Sequence, residues 1–313
     1  MAPRGTDELL IFTGNWNKKL VHNICETIGR SLGSADVSTF SDGEIKVDLR
    51  EPIHGRDVVF IQSTSPPAGK NLLELLFMIS AANRAGAKHI TAIIPYFGYS
   101  RQDRKSSEGS NISASDVARM LEIMGVDHVV SFDLHSAMCQ GFFGPKVQVD
   151  NVFVGHIFLE HLSDLHKIAI VSPDAGAYAR TMKFFNLFID TYPQCDAISA
   201  IIFKQRSGAN CIDTAELSGN VVGRDAIIVD DMVDTAGTLC KAAELLMANG
   251  ATSVMAVVTH GILSGPALER IRSSAITRLF ITDSIRHSEA VLLEPKIRVI
   301  SLRQEIADVI NHI

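Results

Sequence analysis

The sequence predicts an α/β protein of two duplicated domains, each with a mainly parallel sheet flanked by helices. Three observations support this: chain length, an alternation of strand and helix patterns, and an internal echo. At 313 residues the chain exceeds the size at which a single hydrophobic core stops growing, so two domains are expected. Short β-branched runs at Val58–Ile61, Ile90–Ile94, Ile168–Val171 and Ile227–Val229 read as buried strands. Between them, Leu72–Asn83 and Leu239–Asn249 carry apolar residues at three- and four-residue spacing, and Gly86 and Gly250 stand where each helix should stop. Strands alternating with helices point to parallel sheets.

The echo sharpens the division. Gly55-Arg56-Asp57-Val58-Val59-Phe60-Ile61 returns as Gly223-Arg224-Asp225-Ala226-Ile227-Ile228-Val229, 168 residues on (55 to 223), and Gly86-Ala87 returns as Gly250-Ala251, 164 on (86 to 250). The near-constant offset predicts a duplicated unit, with domains over residues 1–150 and 151–313 and a last helix from Gln304 to His312 that packs on the first domain. Chemistry is expected in the loops at the carboxyl ends of the strands.

Composition narrows the function. With 46% hydrophobic and 20% charged residues the chain is an ordinary globular one. Its net charge of −6 and lack of a long basic run exclude a polynucleotide partner, whereas one local cluster of cations is enough to hold a small phosphorylated ligand. Five scattered cysteines without a C-x-x-C pair predict a reducing, cytoplasmic setting. Asp7 and Glu8 precede any long apolar stretch, and Glu74 interrupts the most apolar helix, so neither a signal peptide nor a membrane span is predicted.

Neither a Walker P-loop nor a G-x-G-x-x-G fingerprint occurs. The most informative segment is Ile227 to Leu239, a buried strand ending in Asp230 and Asp231, then Asp234 and a Thr235-Ala236-Gly237-Thr238 turn that opens a helix. In such a turn backbone N–H groups and hydroxyls can point at a phosphate, the helix N-terminus adds partial positive charge, and the paired acids can grip sugar hydroxyls. An isolated pair of acids would be no more than a helix cap; the strand, the acids and the T-x-G-T turn together point to a ligand. In the first half, Pro95-Tyr96-Phe97-Gly98-Tyr99-Ser100-Arg101-Gln102-Asp103-Arg104-Lys105 sets aromatic residues beside three cations after a strand, a composition suited to a nucleoside triphosphate.

The first of these segments resembles the ribose-phosphate loop of the phosphoribosyltransferase-type fold, and the second the ATP-binding segment of ribose-phosphate pyrophosphokinases. The resemblance extends to Phe40-Ser41-Asp42-Gly43-Glu44, Asp133-Leu134-His135, Gln140-Gly141-Phe142-Phe143, Val171-Ser172-Pro173-Asp174-Ala175-Gly176 and Thr259-His260-Gly261 with Ser264-Gly265-Pro266, nearly the whole chain. It implies two phosphoribosyltransferase-like domains, the first binding ATP and the second ribose 5-phosphate. By this similarity Phe40 stacks on adenine, Asp42 and Glu44 arrange hydrogen bonds at its edge, and Arg101, Gln102 and Asp103 hold the triphosphate side. His135 and Asp174 belong around the Mg²⁺ carried by ATP, His135 through water or phosphate. Asp230, Asp231, Asp234, Thr235, Ala236, Gly237 and Thr238 receive ribose 5-phosphate. Lys204 and Arg206 match the family's mobile catalytic loop, whose closure brings two cations to the transferring group. A homo-oligomer built from dimers, up to a hexamer, is also implied.

Three departures from the family pattern stand out. Ala177 replaces a common glycine, Ser106–Asn111 lacks an arginine and a proline, and Pro52 and His54 stand where phosphate-regulated members carry serine and arginine. Weak phosphate activation is therefore expected, because histidine is mostly neutral near pH 7. Two other functions use the same loops: a phosphoribosyltransferase, against which the duplication and Arg101–Arg104 argue, and a non-catalytic regulatory subunit, against which the full set of site residues argues.

Overall fold

A computed structural model of the chain describes residues 9–205 and 214–313. Contacts divide it into two compact units, one of the residues up to Val152 with Ser284–Arg286 and Leu302–Ile313, the other of Phe153–Asp283 with His287–Ser301.

The first unit runs β1 (Leu9–Phe12), α1 (Lys18–Thr27), β2 (Ala35–Thr39), β3 (Ile45–Leu49), β4 (Asp57–Ile61), α2 (Ala68–Arg84), β5 (His89–Ile94), α3 (Ser113–Met124), β6 (His128–Phe132) and β7 (Gln148–Val152). Its sheet has the order β1-β4-β5-β6-β7 with every pair parallel, and β2 and β3 form a separate antiparallel hairpin. The apolar stripe of α2, Leu72, Leu75, Leu76 and Ile79, packs with Phe12, Phe60, Ala92 and Ile94 of the sheet in one core.

The second unit runs β8 (Lys167–Ser172), α4 (Tyr178–Thr191), β9 (Asp196–Gln205), β10 (Thr214–Ser218), β11 (Asp225–Val233), α5 (Gly237–Ala248), β12 (Ser253–Gly261), α6 (Ala267–Ser273), β13 (Ile276–Thr282), α7 (Glu289–Leu292) and β14 (Ile297–Ile300). The order β10-β9-β8-β11-β12-β13-β14 is parallel except where β10 pairs antiparallel with β9. Successive residues of β11 enter opposite cores: Ala226 and Ile228 pack on the α5 side, Ile227 and Val229 with Phe184 and Phe188 of α4 on the other. Burial on both faces explains why this strand is a continuous apolar run rather than an alternating one. Each such side chain contributes roughly 1.5–3 kcal/mol relative to exposure.

The echo in the sequence is an echo in the backbone. Gly55 N–H donates to the Gly86 carbonyl at 2.8 Å and Gly223 N–H to the Gly250 carbonyl at 2.8 Å, while Lys88 and Thr252 donate to Arg56 and Arg224, each at 2.8 Å. All four glycines have positive φ, which explains why this residue recurs at both ends of the motif. The expected strands and helices lie within β4, β5, β8, β11, α2 and α5 with one difference of consequence. The sequence reading ends the strand in Asp230 and Asp231, but β11 continues to Val233, because β12 pairs with it as far as Val233↔Gly261.

The chain then leaves the second unit and ends in α8 (Arg303–His312), whose buried Ile306, Ala307 and Ile310 belong to the first unit, where the helix packs on α1. Ser63 Oγ donates to the Ser284 carbonyl at 2.6 Å, fastening the short return segment of that unit. Among the described residues no helix is long and apolar enough to cross a membrane.

The segment after β5 is seated on the β4–α2 loop. Thr64 N–H donates to the Tyr96 carbonyl at 3.0 Å, and Gly98 N–H donates to Thr64 Oγ1 at 2.6 Å. A Cβ on Gly98 would overlap the Thr64 carbonyl oxygen, whereas a Cβ on Gly69 in α2 meets nothing within 4 Å. Gly98→Ala is therefore expected to cost about 1–3 kcal/mol. Gly69→Ala should be neutral or stabilising by up to about 1 kcal/mol. Urea unfolding of the two variants beside the parent measures both.

Candidate functional site

In the second sheet the chain moves from β8 outward to β9 on one side and from β11 outward to β14 on the other, so the strand order reverses between β8 and β11. The carboxyl ends of strands at such a reversal form a ligand crevice. Register shows how it opens: β8 and β11 stay paired only to Val171↔Ile228, while β11 and β12 remain paired to Val233↔Gly261. The residues that follow on the β8 and β11 sides are Ser172-Pro173-Asp174 and Val229-Asp230-Asp231.

The two acids differ in setting. Asp231 is 2% exposed, and its Oδ1 lies 3.1 Å from Arg180 Nη1. Asp230 keeps a side-chain exposure of 22%, lies 4.0 Å from the same nitrogen, and accepts from Asp231 N–H at 2.9 Å. Burial, with the Asp231 carboxylate beside it, pushes Asp230 well above the usual carboxylate range, and Arg180 opposes that rise.

The turn beyond them presents donors. Ala236 adopts φ 59, a left-handed conformation, and as N-cap of α5 it makes no side-chain hydrogen bond to the helix. The first amides of α5 are thus left without a capping side chain, while Thr235 and Thr238 are exposed beside them. The turn is braced from behind: Ser264 Oγ donates to Asp234 Oδ1, Ser264 N–H donates to the Asp234 carbonyl at 3.1 Å, and Arg270 Nη1 donates to the Thr235 carbonyl at 3.0 Å. Sequence reasoning gave no role to Arg180 or Arg270. The one signal for Arg180 is its place in the first turn of α4, just after the Asp174 loop.

Asp174, in the β8–α4 loop, accepts from Ala177 N–H at 3.1 Å, and Ser172 Oγ donates to its carbonyl at 2.7 Å. Ala177 itself is buried. Lys204 pairs through its backbone with Ala215 of β10, and its side chain, like the whole of Arg206, lies outside the described residues.

The remaining predicted residues lie in the first unit on three separate elements. Phe40, Asp42 and Glu44 form the β2–β3 turn, where Phe40 N–H donates to the Glu44 carbonyl at 2.8 Å and Glu44 N–H to Asp42 Oδ1 at 3.0 Å. Phe40 is 53% exposed, which suits a stacking platform and not a core aromatic. Arg101, Gln102 and Asp103 follow β5, and Gln102 ties its segment to α3 by accepting from Ser113 Oγ at 2.6 Å. His135 is exposed just beyond β6, after Asp133 at φ 41.

Comparison with known proteins decides the family. The N-terminal domain of ribose phosphate pyrophosphokinase matches residues 9–125, and the phosphoribosyl synthetase-associated domain matches 197–313. A ribose-phosphate pyrophosphokinase of Burkholderia pseudomallei is 45% identical across 98% of this chain and 95% of its own length. The chain belongs to the ribose-phosphate pyrophosphokinase family. A second relative of that name, from Haemophilus influenzae, is 44% identical over 98% of this chain and 96% of its own. The crystal structure of phosphoribosylpyrophosphate synthetase from Mycobacterium smegmatis, 32% identical, covers 97% of this chain and 98% of its own with a TM-score of 0.88. The two units therefore have the phosphoribosyltransferase-type fold that the motifs implied.

The raised Asp230 gives this family site a cost in the unliganded protein. A carboxyl whose folded value lies above its unfolded one favours folding while protonated, and that contribution is lost as pH rises from the unfolded value through the folded one. Asp230→Asn should therefore be more stable than the parent at pH 7–8, and the difference should vanish near pH 4. Thermal unfolding of both proteins across that range checks the sign.

Proposed function

We propose that this chain transfers the β,γ-pyrophosphoryl group of ATP to the 1-hydroxyl of ribose 5-phosphate. The observation that carries the proposal is the β11–α5 turn at the strand-order reversal, where uncapped helix amides and two threonines follow the partly exposed Asp230. The bond formed joins the ribose O1 to the β-phosphorus; the bond broken joins that phosphorus to the α,β-bridging oxygen. AMP leaves with the bridging oxygen, the hydroxyl proton passes to solvent or a nearby base, and 5-phosphoribosyl 1-pyrophosphate is the product. No covalent enzyme intermediate is needed, so positioning and charge stabilisation do the catalytic work.

On this reading the backbone of residues 235–238 with the Thr235 and Thr238 hydroxyls holds the 5-phosphate, and Asp230 and Asp231 govern the ribose hydroxyls, while Asp234 fixes the turn. Phe40, Asp42, Glu44, Arg101, Gln102 and Asp103 take ATP in the first domain, residues 1–150, and the ribose side belongs to the second, residues 151–313. Lys204 and Arg206 supply charge to the transferring group.

Among the described residues no group of three or more His, Cys, Asp or Glu side chains is arranged to hold a metal ion by protein ligands alone. The ion this reading implies is Mg²⁺, which takes few protein ligands, keeps its waters and rides on substrate phosphates. The family resemblance names Asp174, a hard oxygen donor of the second unit, and His135 of the first, acting through water, as its residues; when bound it would neutralise phosphate charge. The working form on this reading is a cytoplasmic homo-oligomer, supported by the family resemblance and by the exposed Met120 and Ile123 of α3 and Met138 in the same unit.

Phosphorus NMR of the protein with Mg²⁺, ATP and ribose 5-phosphate should show AMP and a pyrophosphate on ribose C1, and Lys204→Ala and Arg206→Ala should each lower kcat by about 10³-fold. Unchanged ATP with folded protein, tested with and without inorganic phosphate, would refute the reaction; parental turnover in both variants would refute the role of the cations.

A further inference from the structure

Beyond the end of the β8–β11 pairing, the first turn of α4 takes the place of the missing strand. Thr181 Oγ1 donates to the Val229 carbonyl at 3.4 Å as well as to the Ala177 carbonyl at 3.0 Å, so the helix is clipped to β11 at the residue before the acids. One residue earlier, Arg180 sends a guanidinium, 14% exposed at its side chain, to Asp231 at 3.1 Å and to within 4.0 Å of Asp230. Asp231 has a side-chain exposure of 3% and its own amide holds Asp230 Oδ1. A planar, permanently charged fork is the group that can satisfy one carboxylate and still act on its neighbour.

We propose that Arg180 is a positioning residue for the ribose subsite: it anchors Asp231 in a buried ion pair and thereby fixes Asp230 as the carboxylate turned to the ribose hydroxyls. The inference rests on the proposed function. It divides the labour of two adjacent acids, one structural and one facing ligand. Without the guanidinium, two carboxylates one residue apart in a largely buried setting would repel, and the side chain free to turn away would be Asp230. The effect would fall on ribose 5-phosphate, because Arg180, Asp230 and Asp231 all belong to the second unit, and ATP affinity would be spared.

The test is steady-state kinetics of the full chain with Mg²⁺, varying each substrate in turn. Arg180→Gln should raise KM for ribose 5-phosphate by about tenfold or more while KM for ATP stays within about twofold, and Arg180→Lys should fall between the parent and Arg180→Gln. A purely structural arginine would lower thermal stability in Arg180→Gln and leave the ribose 5-phosphate KM at the parental value, and that result overturns the proposal. Should Arg180→Gln fail to fold, Arg180→Lys decides: a rise of about threefold or more with ATP KM unmoved supports the role, and an unmoved ribose 5-phosphate KM overturns it. A parent that makes no AMP from ATP and ribose 5-phosphate overturns the proposed function and this inference together, whereas an active parent with an indifferent Arg180→Gln overturns the inference alone.

Discussion

β11 lies in mid-sheet, held along one edge by β8 as far as Ile228 and along the other by β12 as far as Val233. Its two edges end in different places, and the geometry of the second unit follows from that offset. Four consecutive residues, Ala226 to Val229, are locked between two cores, which leaves the strand no freedom to slip: a shift of one residue would exchange the side chains of the two cores. The register in turn delivers Asp230 and Asp231 to the point where β8 has departed. Polar groups are tolerable in mid-sheet there because α4 supplies a cation and β12 still supplies backbone partners.

The two units show how a duplicated sequence can keep a scaffold and lose a crevice. The Gly-Arg-Asp turn, the strand after it, the helix and the closing glycine recur with matching hydrogen bonds. The first sheet nevertheless proceeds from β1 to β7 in one direction, with no reversal of strand order, whereas the second reverses between β8 and β11. A parallel sheet without a reversal has no cleft built in by topology. In the first unit Phe40, Asp42 and Glu44 stand on the β2–β3 turn and Arg101, Gln102 and Asp103 on the segment after β5, not on a counterpart of the Asp230 turn.

Much of this was legible in the sequence, and the boundary of legibility is physical. Continuous apolar runs of three to five residues marked β4, β5, β8 and β11 because strands covered on both faces cannot alternate, and the glycines at 55, 86, 223 and 250 marked turns that need positive φ. The turn at Thr235–Thr238 was legible because small residues and hydroxyls crowd one helix start. The continuation of β11 past the two aspartates to Val233 was not, since local composition reads as a strand end and only pairing with β12 overrides it. Arg180 was missed for the same reason: its meaning lies in a contact with Asp231, 51 residues further on, and its place in the first turn of a helix after the Asp174 loop is a weak local signal.

α8 gives the first unit a property that its sheet does not suggest. The sheet and its helices are complete by Val152, yet α1 is covered by residues 302–313, which the ribosome makes only after every strand of the second unit. During synthesis the second unit can therefore close its cores before α8 exists to pack on α1. The half of the chain made first is the half finished last.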